Sequence, residues 1–81
     1  AAELTSDERL DAFVATFGLT ERERAILEVL VVSDQSVQDI ATTLFLSRST
    51  LYRHISSINK KAGTASRVAL INFFWSWTPK D

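Results

Sequence analysis

The sequence has no cysteine, no methionine and a single histidine, with only two glycines and one proline in 81 residues. Without cysteine there is neither a disulfide framework nor a thiolate zinc site, and His54 alone cannot assemble a metal centre. No cofactor and no metal are therefore expected. Gly18 and Gly63 stand too far apart to form a glycine-rich phosphate loop, and no histidine lies in a carboxylate or nucleophile constellation, so no enzyme is expected. The longest apolar stretch, Val68 to Trp77, is broken by Asn72 and Ser76 and is too short to span a bilayer. Nothing resembles a signal peptide. A soluble, cytoplasmic domain is the expectation. Because the chain lacks methionine, Ala1 is not an unprocessed translation start. The chain is expected to be a segment of a longer protein, with loss of an initiator methionine as the alternative.

What is missing from one half matters most. After Asp39 no acidic residue occurs until the terminal Asp81, while Arg48, Arg53, Lys60, Lys61, Arg67 and Lys80 supply six positive charges. Residues 1–39 hold nine acids against three bases. The formal total of −1 hides this asymmetry, which points to a polyanionic partner for the second half.

The apolar residues recur at helical spacing between recognisable stops. Thr5 and Glu8 form a capping box ahead of Leu10, Phe13, Val14 and Phe17, and Gly18 ends that helix. Thr20 and Glu23 repeat the box ahead of Ile26, Leu27, Leu30 and Val31, which places a second helix at about 21–32. Ser36 and Asp39 cap a short third helix with Val37, Ile40, Ala41 and Leu44 inward, and Phe45 and Leu46 make a corner without glycine. Ser47 opens a fourth helix at about 48–62, closed by Gly63, with Leu51, Ile55 and Ile58 inward. A fifth begins near Thr64 or Ser66 and ends at Thr78 and Pro79. The fold class is all-α.

The third and fourth helices, joined by so short a corner, have the layout of a helix-turn-helix, whose second helix lies in the major groove. Ala41 is the small residue that a steep helix crossing needs. Turning Leu51, Ile55 and Ile58 inward leaves Ser49, Tyr52, Arg53 and Ser56 on the outer face. Arg53 can bond guanine O6 and N7 together, and Ser49, Tyr52 and Ser56 can meet bases more permissively. At the edges of that stripe Ser47, Arg48, Thr50, Lys60, Lys61 and Arg67 suit phosphates, which fix register rather than sequence. A solvated helix also shows an Arg, Lys and Ser face; the caps and the charge segregation favour the DNA reading. His54, near the inner edge, is expected to take a packed, hydrogen-bonded role rather than to meet phosphate. Arg24 is expected to pair with Glu28 at i, i+4.

In order and spacing, Leu19-Thr20-Glu21-Arg22-Glu23, Ile26-Leu27, Leu30, Ile40-Ala41, Leu44-Phe45-Leu46-Ser47, Thr50-Leu51, His54, Ile58, Lys61, Gly63 and Ser66-Arg67 resemble the LuxR-type DNA-binding domain, also described as GerE-like or FixJ/NarL-like. The resemblance spans 49 positions, Leu19 to Arg67. It implies a four-helix domain, here with an additional N-terminal helix: residues 1–18 as helix or linker, and 19–81 as the DNA-binding domain. It further implies operator binding, often as a homodimer, at the C-terminus of a regulator whose upstream sensor domain is absent from this chain. Contact with RNA polymerase is a further implied partnership. The positions matching Tyr52, Arg53 and Ser56 are the family's usual base readers. Four positions depart from the pattern: Asp34 stands where a glycine is usual, Val37 for asparagine, Ala62 for leucine and Tyr52 for lysine. The last bears on operator preference.

The fifth helix is apolar almost all round, so more than one side must be covered. One side packs on the second and fourth helices. The other packs on Phe13 and Phe17, on the same helix of a second subunit, or on both, the N-terminal helix covering part of the patch and leaving the rest for a partner, with Leu70, Phe73, Phe74 and Trp77 as the expected dimer contacts. The alternative function is a protein-interaction or dimerisation module that keeps the helix-turn-helix fold without binding DNA. Within DNA binding, a sigma-factor promoter-recognition domain shares the layout but matches the Ser47 to Lys61 spacing less well.

Overall fold

The computed structural model describes residues 4–33 and 35–79, and among them every regular element is a helix. These are α1 (Ser6–Phe17), α2 (Glu21–Val32), α3 (Val37–Thr43), α4 (Arg48–Ala62) and α5 (Arg67–Ser76). Asp34, which stands where the family usually has a glycine, lies outside the described residues, as do residues 1–3, Lys80 and Asp81.

Each helix begins where a side chain can take up its free backbone donors. Thr5 and Thr20 form complete capping boxes with Glu8 and Glu23. The hydroxyls of Ser36, Ser47 and Ser66 accept from Asp39, Thr50 and Ala69 backbone N–H groups. Loss of such a cap costs about 1 kcal/mol. Gly18 (φ 70°) and Gly63 (φ 75°) close α1 and α4 in the left-handed conformation that glycine adopts without penalty. The corner between α3 and α4 is different, because its left-handed residue is Phe45, at φ 57°. That corner is held by Leu46 N–H to Ala41 C=O at 2.8 Å and Phe45 N–H to Thr42 C=O at 3.2 Å. The fifth helix starts at Arg67 rather than Thr64, whose hydroxyl bonds back to the Asn59 side chain at 2.7 Å.

One core joins all five helices. Leu51, Ile55 and Ile58 of α4 face Ile26, Leu27 and Leu30 of α2, Ile40 and Ala41 of α3, and Leu70 and Phe74 of α5. Leu10 and Phe13 extend it into α1. Ala41 is 1% exposed, the small residue enclosed where α3 packs against α4.

The all-round apolar α5 has two different covers. Leu70 and Phe74 are fully buried inside the domain, so these two expected dimer contacts have no surface left for a second chain. Phe73 and Trp77 are half-buried beneath α1, where Phe13 and Phe17 meet them edge-on or tilted at ring separations of 5.2 to 5.8 Å. Each such pair adds about 0.5 to 1.5 kcal/mol beyond area burial. The Arg9 guanidinium donates to the Trp77 and Phe74 carbonyls, placing a cation where the helix leaves acceptors unpaired. The N-terminal helix thus covers Phe73 and Trp77, and its Phe13 also reaches the enclosed Phe74.

Candidate nucleic-acid interface

The orientation of α4 follows from its two faces. Leu51, Ile55 and Ile58 are buried, which turns Ser49, Tyr52, Arg53 and Ser56 outward, all four exposed. None of these side chains, nor those of Lys60 and Arg67, forms a hydrogen bond or ion pair with any other described residue. A donor row left without internal partners is available to an external acceptor. The first turn of α4 holds no acid, and Arg48 begins it. The helix dipole and the cation therefore add to a positive end.

The expected phosphate residues divide. Ser47 is committed as N-cap: its hydroxyl accepts from Thr50 N–H at 3.1 Å and donates to Thr50 Oγ1 at 2.9 Å, which leaves the Thr50 hydroxyl proton free to donate outward. Arg48 makes one long contact, 3.5 Å, to Gln38 Oε1. Lys60 is exposed. Arg67 projects from the first turn of α5 into a cleft of about 360 Å³ that it shares with Tyr52 and Ser56, the floor being Val37 and Ile55. The structure thus brings a phosphate candidate from α5 beside two base-reading candidates from α4.

Lys61 is placed elsewhere. Its Nζ donates to Glu23 Oε1 at 2.7 Å, so its charge is matched inside the domain. Glu23 is 4% exposed, and its carboxylate also accepts from the Ser57 hydroxyl at 2.6 Å and the Thr20 N–H at 2.9 Å. Burial alone would push this carboxyl up, but Lys61, Ser57 and Thr20 together outweigh it and hold the pKa at about 2. Two bonds from α4, donated by Ser57 and Lys61 to a carboxylate anchored at the N-cap of α2, restrain the rotation of α4 about its own axis. Glu23 and Ser57 are thus positioning residues that the sequence alone did not reveal. The capping box accounted for Glu23 locally, and its partners lie 34 and 38 residues away.

Two further pairs organise the acidic half. Arg24 lies 2.7 Å from Asp11 of α1 and 3.9 Å from Glu28. The hydrogen bond to Asp11 holds the guanidinium further above its usual pKa. The expected i, i+4 pair therefore exists as the longer of two contacts. His54 is half-buried at the inner edge of α4, and among the described residues its ring makes no hydrogen bond.

Residues 18–74 match a family described as "GerE: Bacterial regulatory proteins, luxR family". Among curated proteins, the chain is similar to the "Spore germination protein GerE" of Bacillus subtilis (strain 168), with 43% identity over 49 residues. That alignment covers 60% of this chain and 65% of the relative, just under two thirds of its length. No solved structure matches the chain.

Proposed function

The chain belongs to the luxR family of bacterial regulatory proteins and carries its helix-turn-helix DNA-binding domain, and from that premise we propose that α4 reads an operator in the major groove of duplex DNA. The observation that carries this reading is the outer row of α4, where exposed donors face away from the core and have no described partner.

Arg53 stands at the middle of the row and takes the bidentate contact to guanine, about 1 to 3 kcal/mol of discrimination. Tyr52, Ser49 and Ser56 contact neighbouring bases. Arg48, Thr50, Lys60 and Arg67 bond phosphates on either side, with Ser47 supporting Thr50. Lys61 supports the fold through Glu23. With about four phosphate contacts per domain, affinity falls steeply as salt rises.

The domain acts on DNA as a homodimer. Since Leu70 and Phe74 are enclosed and α1 covers Phe73 and Trp77, the seam moves to the uncovered side of α5. There Val68 is 63% and Trp75 44% exposed, at i and i+7, with Ile71 half-buried between them. Regulation of transcription by the whole protein follows from operator occupancy by this domain.

Selection of bound duplexes from a random DNA pool at two salt concentrations tests the proposal. Enrichment of a sequence with two half-sites in symmetric arrangement supports both operator reading and dimerisation, because half-site symmetry mirrors protein symmetry. A single enriched half-site would remove the dimer, and no enrichment at either salt would remove operator reading.

A further inference from the structure

Phe45 carries two independent costs. It is the one non-glycine at positive φ among the described residues, in a region that costs a bulky side chain, and its ring is 95% exposed. Nothing inside the domain rewards either cost. The backbone of the corner is satisfied through the Phe45 and Leu46 N–H groups, which any residue could supply, and glycine would hold the same turn without strain.

The position of the ring suggests what it meets. Phe45 lies two residues before Ser47, the N-cap of α4, and so projects beside the end of the helix that enters the groove. Arg48 follows one residue later, and no acid lies between Asp39 and Asp81. A ring in cationic surroundings at the edge of a polyanion-binding face is matched by the apolar part of that polyanion. On a duplex this is the deoxyribose edge, exposed between phosphates along the groove wall.

We propose that Phe45 packs on the sugar edge of the DNA backbone beside the recognition helix, a sequence-independent apolar contact that holds α4 at its depth in the groove. The inference rests on the operator-binding reading and adds to it a residue of a different chemical kind. Arg53 discriminates bases, Lys60 exchanges counterions, and Phe45 does neither. Its removal weakens operator and random duplexes by the same factor and leaves the salt slope unchanged, since no phosphate charge is involved.

The test uses Phe45→Ala and Phe45→Gly in the full 81-residue chain. The probes are a fluorescein-labelled duplex enriched by the unsubstituted chain and a scrambled duplex of equal length, across a salt series. Both variants are expected to bind both duplexes about tenfold more weakly, with parallel slopes. Phe45→Gly is also expected to melt at a higher temperature than Phe45→Ala, because glycine relieves the left-handed strain. This separates lost binding from lost folding. If both variants bind like the unsubstituted chain, the contact is overturned while operator binding stands. If in addition they lose transcription activation with purified RNA polymerase, Phe45 is a protein contact instead. If the unsubstituted chain retains neither duplex, the operator reading itself fails.

Discussion

The two ends of this small domain use side chains in opposite ways. At the α1 and α5 end, Phe13, Phe17, Phe73, Phe74 and Trp77 satisfy one another, and Arg9 ties down the last carbonyls of α5. On the outer face of α4, the arginine, tyrosine and serines have no described partner. The aromatic end is where stability resides, and the unpartnered row is where the proposed function puts binding. Between them, the Glu23 carboxylate connects α2 to α4 and keeps the row facing outward.

If stability and binding are separated in this way, substitutions should divide into two sets. Phe13→Ala removes a ring that is 0% exposed and contacts four other aromatic rings. A loss of about 3 to 5 kcal/mol in denaturant unfolding is expected, with the DNA specificity of the folded fraction unchanged. An equal fall in specificity would show that the two ends are coupled.

The Glu23 cluster comes next. Glu23→Gln leaves the Lys61 ammonium without its charge partner, and a loss of about 3 kcal/mol is expected at neutral pH. The carboxyl is held at about 2, below its ordinary value of 4.5, so its stabilisation is fully present above pH 4.5 and is lost as pH falls toward 2. Its full value is ~3 kcal/mol as an upper bound. Acid unfolding of the unsubstituted chain should show that slope, and the Glu23→Gln variant should lack it. Lys61→Ala belongs with this set: thermal melting should register it, and the salt slope of DNA binding should not.

Smaller effects lie on the binding side. Arg53→Ala should cost about 1 to 3 kcal/mol of operator binding and leave random-duplex binding and thermal stability alone. Lys60→Ala should weaken operator and random duplexes alike and reduce the salt slope by about 1. A thermal shift for either would mean that the outer row also supports the fold.

Most of the architecture was legible because helix ends are chemically local. Thr5 with Glu8, Thr20 with Glu23, and Ser47 each mark a start within three residues, and Gly18 and Gly63 mark two stops. The inward row of α4 was equally legible, since Leu51, Ile55 and Ile58 recur at the helical period and polar residues fill the rest. The sides of α5 were not, because a helix apolar in every direction carries no periodic signal. Phe73 and Trp77 meet Phe13 and Phe17 across more than fifty residues of sequence, and Leu70 and Phe74 are fully buried in the common core. The fate of Lys61 was hidden for a related reason. Its basic neighbours on α4 suggested an outward charge, and only the approach of α2 brings Glu23 within reach. The strained corner at Phe45 gave no sign either, since glycine, the residue that usually reports such a turn, is absent from it.

The most direct measurement is a titration of the uniformly ¹⁵N-labelled chain with the enriched duplex, followed by amide shifts. Perturbations should concentrate on residues 45–60 and at Arg67, with smaller shifts at Val68, Ile71 and Trp75 as the seam closes and the amides of α1, Phe73 and Trp77 undisturbed by DNA. Shifts confined to the aromatic end, with α4 silent, would contradict the account.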